Sequence, residues 1–418
     1  MGEPQEKQGL LSVLGPGLVT GAADDDPSGV GTYSQVGAQF GYGMAWTMFF
    51  GFPLLAAIQA ICANIGAVTG RGIAQNLRRH YPRPLLHAVV LMLVVANVIN
   101  LGADLGAMAE SLALLLPGPS LLYVLLFGVL SVALEVVMSY QRYSSILKWT
   151  TLSLFAYVAV VFVSHVPVAE AVRSTLIPQF TFDKPHAMAL VAIFGTTISP
   201  YLFFWQAGQE VEEQHRRHTK PLCVAPKKAG PELKRIRTDT LIGMGFSHIT
   251  ALFIIVATAA TLHAHGVTQI DSAAQAAEAL RPIAGNLAFA LFALGIIGTG
   301  LLAVPVLAGS AAYGVSETFG WTEGLDRKPR EAKAFYAVIA LATLGGVALN
   351  LSGMDPMRAL YWAAVVNGLL APPLMVVTML IARNPRAMGH LTISKRLAFG
   401  GWVSTAVMFG VAGVFLWS

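Results

Sequence analysis

Residues 15–43 read GPGLVTGAADDDPSGVGTYSQVGAQFGYG, with Asp24-Asp25-Asp26-Pro27-Ser28-Gly29 at their centre. Apolar sequence flanks this hexapeptide on both sides, and residues 44–68 form a second apolar span. Three adjacent carboxylates therefore fall near the middle of what would otherwise be a first membrane helix. A charged side chain at that depth costs about 2.5–3.5 kcal/mol on insertion scales, so acids there need a reason. Pro27 removes a backbone donor, and Ser28 and Gly29 are poor helix residues, so the spacing predicts a broken helix. Broken backbone at membrane depth is tolerated where it lines a cavity or is buried in protein. A loop at the membrane surface is the plainer reading of the three acids, but residues 10–23 make too short a span alone.

A second interruption favours a site. Residues 188–207, MALVAIFGTTISPYLFFWQA, are apolar except at Gly195-Thr196-Thr197-Ile198-Ser199-Pro200-Tyr201. Two interrupted spans in corresponding halves of a chain point to a transporter's substrate site.

Composition sets the class. Of 418 residues, 55% are hydrophobic and 12% charged, about half the charged share of a soluble domain. The chain reads as an all-α polytopic membrane protein. Its formal charge of +5 calls for no nucleic-acid partner, because the basic residues gather in loops. Cys62 lies in an apolar span and Cys223 in a basic loop, which suggests no disulfide framework. The opening MGEPQEKQ lacks a cleaved signal's layout, and Glu6 stands where a myristoylation motif wants Ser or Thr. No nucleotide-binding, metalloenzyme or catalytic-triad motif appears, so neither an enzyme nor a cofactor is expected.

Apolar runs give eleven spans: 11–39 (broken), 44–68, 86–115, 120–139, 147–166, 187–209 (broken), 240–262, 286–311, 334–351, 358–382 and 396–417. They make one transmembrane domain over residues 1–418. Every second loop is basic, carrying Arg71, Arg78, Arg79 and Arg83, then Arg142 and Lys148, then the cluster from Arg216 to Arg237. The same side holds Arg327 to Lys333 and Arg383 to Arg396. This places the N-terminus in the cytoplasm and Ser418 outside, in a plasma membrane such as a bacterial inner membrane. The odd count suggests two five-helix repeats of opposite topology, about 11–166 and 187–382, plus an extra helix at 396–417. Both breaks then fall in the first helix of a repeat. The polar stretch 210–238 reads as a basic cytoplasmic linker.

At each break one half-helix ends in free carbonyls and the next begins with free N–H groups. Carbonyls and Asp oxygens suit a hard cation; the N-terminal ends suit an anion. The sequence supplies both, so the sign of the substrate's charge stays open here. Asp26, just before Pro27, is the best single ligand candidate, and Asp24 and Asp25 cannot share one cavity with it. The sixth span offers the hydroxyls of Thr196, Thr197, Ser199 and Tyr201 and the amide of Gln206, with no thioether, thiol or imidazole at the break. Oxygen-only sites suit Mg²⁺, Ca²⁺ or Mn²⁺. Ser and Thr also bond back to their own helix or pack between helices. Asn97, Asn100 and Asp104 fall at i, i+3 and i+7 on one face of the third span, a polar stripe that suggests a proton or water route. The lone His248 reads as structural.

The run DPSGVGTYSQVGAQFGYG resembles the first-helix signature of the Nramp family of proton-coupled divalent-metal transporters. The likeness continues through ANIGAVTGRG (63–72) and GADLGAMAE (102–110). It implies a LeuT-type fold of 5+5 helices plus one, with helices 1 and 6 broken at mid-membrane. It places Asp26 at the family's metal-binding Asp, Gly29 where the family has an Asn ligand, and Thr196 at a carbonyl ligand position. The metal-binding Met becomes Ser199, the His after the proline becomes Tyr201, and a further His becomes Gln206. Asp104 matches an acid of the family's proton route, while the acid three residues on is Ala107. No basic partner is evident at Ala334 to Tyr336.

Two readings follow. One is a carrier of a hard divalent cation, Mg²⁺ or Mn²⁺, by alternating access, with proton coupling. The other is a carrier of a small anion such as bicarbonate, held by helix N-termini and hydroxyls. The partners are the ion and the lipid bilayer, and a monomer suffices for either. A sensor is disfavoured because no soluble domain is appended.

Overall fold

The computed structural model describes residues 15–137, 153–179, 181 and 183–418. The N-terminal octapeptide, Arg142, Lys148 and the start of the span expected at 147–166 lie outside these. Among the described residues the chain is helical throughout: α1 (Pro16–Asp24), α2 (Pro27–Phe40), α3 (Trp46–Thr69), α4 (Ile73–His80), α5 (Arg83–Ala113), α6 (Ser120–Val137), α7 (Phe155–Val163), α8 (Val168–Leu176), α9 (Lys184–Thr197), α10 (Pro200–Arg216), α11 (Ala229–Thr261), α12 (Ala273–Glu278), α13 (Ala288–Phe319), α14 (Lys333–Leu349), α15 (Pro356–Ala382) and α16 (Lys395–Trp417). Nine helical stretches among them are long and apolar enough to cross a membrane, counting α9 and α10 as one.

The two interruptions share one geometry. Asp25 (φ −83°, ψ 47°) and Asp26 (φ −69°, ψ 170°) separate α1 from α2. Ile198 (φ −106°, ψ 54°) and Ser199 (φ −74°, ψ 135°) separate α9 from α10. A proline follows each pair. Proline pushes the residue before it into extended backbone and fits the first helical position, so each dipeptide is forced open and the helix resumes at once. The breaks are thus shorter than the stretches 24–29 and 196–200 expected from sequence, and Gly29 lies inside the first turn of α2.

Small residues bring the backbones around the first break together. A Cβ on Gly21 would run into the Gly243 carbonyl oxygen, and one on Gly243 would run into that of Gly17. Helix α1 therefore lies directly on α11, as small-residue spacing allows in membranes. The second break is seated the same way, since a Cβ on Gly195 would collide with the Ala364 oxygen in α15.

The stretch expected as a linker, 210–238, is mostly helix. Helix α10 runs on to Arg216 and α11 starts at Ala229. Its polarity belongs to two helix ends that pair with each other: Arg235 binds Glu210 at 2.9 Å and Glu232 at 2.8 Å, and Arg216 and Arg217 both pair with Glu213.

Candidate functional site

Asp26 caps α2. Its Oδ1 accepts the Gly29 N–H at 2.6 Å, and its Oδ2 accepts the Tyr201 hydroxyl at 3.3 Å. A carboxylate at a helix N-terminus meets the positive end of the helix dipole. Tyr201 also lies 3.2 Å from the Ala23 carbonyl, so α10 touches the first break on both sides. Asp104, on α5, faces Asp26 and the Ser28 amide, and both its oxygens are buried without a full hydrogen bond. The polar stripe expected on α5 therefore points its acid into the break, and its two amides elsewhere. Asn97 donates to Leu307 O (2.9 Å) and Ser310 Oγ (2.7 Å) on α13, and Asn100 accepts from Asn367 on α15 at 3.2 Å.

The hydroxyls of the second break divide. Thr197 donates to the Ile193 carbonyl at 3.0 Å, and Ser199, within the break, lies 2.8 Å from both the Gly195 and Thr196 carbonyls, so both hydroxyls are spent on α9. Thr196 has a buried hydroxyl without such a bond. Gln206 lies further down α10: its Oε1 is 2.5 Å from the Thr20 hydroxyl, and its Nε2 donates to Glu210 at 3.4 Å. It braces α1 against α10 and does not reach Asp26. His248 sits apart, its ring edge-on to Phe52 and its Nδ1 3.2 Å from the Met244 carbonyl.

Asp24 and Asp25 reach toward α11, where Ser247 Oγ lies 2.6 Å from Asp24 Oδ2 and 3.1 Å from Asp25 Oδ1. All three acids are at most 1% exposed. Tyr33, wholly buried on α2, faces them. Sequence reasoning missed Tyr33, although it stands seven residues after Asp26 on the same helical face. It also missed Asp239, which accepts the N–H groups of Gly15 (3.0 Å), Gly17 (2.8 Å) and Leu18 (3.1 Å) at the start of α1. Asp239, Gly243 and Ser247 recur at i, i+4 and i+8, a polar and small stripe that follows α1 from end to end.

A cavity of about 490 Å³, lined by Gly31, Gln35, Gln39, Lys184 and Tyr361 among others, opens at the end of the bundle away from the basic loops. It reaches Gly31, one turn of α2 beyond the break.

Residues 17–418 match the family model described as Nramp, natural resistance-associated macrophage protein-like. The chain is 27% identical over 419 residues to the divalent metal cation transporter MntH of Klebsiella pneumoniae strain 342, covering 96% of this chain and 93% of that protein. It is 25% identical to MntH of Deinococcus radiodurans, covering 99% and 91%. Among solved structures it resembles a point mutant of the Eremococcus coleocola manganese transporter with a TM-score of 0.77 at 16% identity, covering 98% of this chain and 87% of that one. It also resembles Mhp1, a nucleobase-cation-symport-1 family transporter, with a TM-score of 0.59 at 13% identity, covering 97% and 92%. With the match running through both breaks and all but the first 16 residues, the chain belongs to the Nramp family, whose members are membrane transporters and not enzymes.

Proposed function

We propose that this protein carries a hard divalent cation, Mg²⁺ or Mn²⁺, across the membrane by alternating access at the first break. The observation that carries the proposal is the burial of Asp24, Asp25, Asp26 and Asp104 together, with no Lys, Arg or His among the described residues acting on any of them. Uncompensated negative charge inside a membrane protein is expensive, and a cation offsets it whereas an anion adds to it. The N-terminus of α2, which an anion would need, already gives its Gly29 N–H to Asp26. Asp26, Thr196 and Tyr201 offer oxygen alone, and the sulfur that would favour softer ions is absent where Ser199 stands. The printed names of the relatives, divalent metal cation transporters and a manganese transporter, agree with this class of ion.

The reading takes the two matching breaks as the first helices of inverted five-helix repeats in an eleven-span, single-domain transporter. The basic loops lie on the cytoplasmic side and Ser418 outside, in a bacterial inner membrane. The cavity at Gln35 and Lys184 is then the outer entrance. Asp104, against Asp26, is the group that links ion binding to proton movement.

Purified protein in liposomes tests this, with Mg²⁺ and Mn²⁺ uptake and internal pH followed together. Uptake should require Asp26, and Asp104→Asn should reduce proton movement more than ion uptake. Bicarbonate-driven pH change without divalent uptake would overturn the reading.

A further inference from the structure

Resting on the cation reading, we propose a second cation position on the α11 side of the first break. It is formed by Asp24, Asp25 and Ser247, faced by Tyr33, and takes a small hard metal ion: either Na⁺ or a second copy of the divalent substrate. Helix α1 ends at Asp24 and Asp25 leaves helical geometry, and both side chains reach α11. The Ser247 hydroxyl lies within hydrogen-bonding distance of both carboxylates. A hydroxyl has one hydrogen, so it satisfies one ionised carboxylate and turns lone pairs toward the other. The remaining oxygens, Asp24 Oδ1 and Asp25 Oδ2, are buried and have no hydrogen-bond partner. An ion between the two carboxylates takes lone pairs from all three side chains and removes the conflict.

Tyr33 supplies an independent observation. Its hydroxyl is wholly buried and closes no full hydrogen bond, and it faces Asp24, Asp25 and Asp26, with the Thr196 hydroxyl beside it. A phenol buried in this way is a ligand in waiting, since an orphaned buried polar group is costly. Every donor here is oxygen, which selects a hard ion. Among the described residues no three His, Cys, Asp or Glu side chains converge on one point. The second position rests on two carboxylates and hydroxyls. Two cations on either side of a two-residue break repel, and each offsets negative charge that draws the other, so each lowers the other's affinity by the same factor.

Calorimetric titration of the purified full chain with Mn²⁺, in Na⁺-free and Na⁺-containing buffer, tests the proposal. If the second ion is Na⁺, a single Mn²⁺ equivalent should weaken by about tenfold on adding Na⁺, within the range usual for coupled sites. If it is divalent, a second Mn²⁺ equivalent should appear with or without Na⁺. Asp25→Asn and Ser247→Ala, each checked for unchanged elution and melting, should remove that Na⁺ effect or that second equivalent and leave one Asp26-dependent equivalent. One equivalent indifferent to Na⁺ and to both substitutions would overturn the proposal and leave the cation reading standing. No divalent binding in any buffer would overturn both.

Discussion

The hydroxyl of Tyr201, the second residue of α10, donates to Asp26 Oδ2 across 3.3 Å, joining the start of one resumed helix to the residue that caps the other. The two breaks are thus one site. Removing this hydroxyl leaves a buried carboxylate short of a donor, and a bond to a charged group is worth about 1.5–3 kcal/mol. Tyr201→Phe should therefore weaken divalent-ion binding by about tenfold or more while the protein still elutes as a folded species. Unchanged affinity would show that Tyr201 only packs.

A second prediction concerns the basic end of α1. Asp239 accepts three N–H groups at the start of α1, fastening that short helix to α11. Caps of this kind contribute about 0.5–2 kcal/mol. Asp239→Ala should loosen α1, so that a cysteine placed at buried Thr20 reacts several-fold faster with a water-soluble thiol reagent from the basic side. An unaltered labelling rate would mean that the glycine contact between Gly21 and Gly243 holds α1 without the cap.

Ion preference should follow the donor atoms. Ser199 spends its hydroxyl on the carbonyls that end α9, so replacing it costs the site little, and Ser199→Met brings a soft sulfur to the break. The variant should gain Cd²⁺ affinity by about tenfold relative to Mg²⁺ in competition binding. Adding Gly29→Asn is a harder change, because a Cβ there meets the Asp24 oxygen at 3.2 Å and the Tyr33 ring at 3.3 Å. A wild type that already prefers Cd²⁺ strongly would contradict an oxygen-only site.

Away from the membrane interior, Glu323 sits in a cleft of about 210 Å³ at the basic end with Glu212 and Glu317. Burial, and then the two neighbouring glutamates, push its carboxyl up from 4.5 to about 9, against a smaller opposing pull from Arg327. Between those values the folded chain keeps a proton that the unfolded chain has released, so stability falls as pH rises across the window. Glu323→Gln should match the wild type in melting temperature near pH 4 and exceed it increasingly toward pH 9. Parallel melting curves at all pH values would show that Glu323 is ionised in the folded protein.

The sequence carried some of this plainly and hid the rest. Both breaks were legible because proline after a polar or Gly-rich turn is local chemistry, and Asp26 stood out as an acid just before Pro27. Their length was overestimated, because Asp26 caps α2 and Pro27 starts it, so the helix recovers within two residues. Thr196, Thr197 and Ser199 are indistinguishable as a run of hydroxyls; only the helix phase separates the free Thr196 from its two back-bonded neighbours. Gln206 was expected at the ion site, but six residues along α10 carry it more than a turn and a half toward Thr20. Asp104 was expected on a face shared with Asn97 and Asn100. That face is wide enough for the three side chains to reach α13, α15 and the break separately. The polarity of 210–238 looked like a linker because pairing such as that of Arg235 with Glu210 is a tertiary fact. Ser247 and Tyr33 had a faint signal in their spacing, and it gained meaning only once α1 lay along α11.

The central claim, that the transported charge is positive, is tested most directly by the sign of the current. Proteoliposomes on a solid-supported membrane, exposed to a step of Mg²⁺ or Mn²⁺, should give a transient that carries positive charge inward. The transient should disappear in Asp26→Ala. A current elicited by bicarbonate alone, of opposite sign and with no response to either divalent ion, would contradict the account.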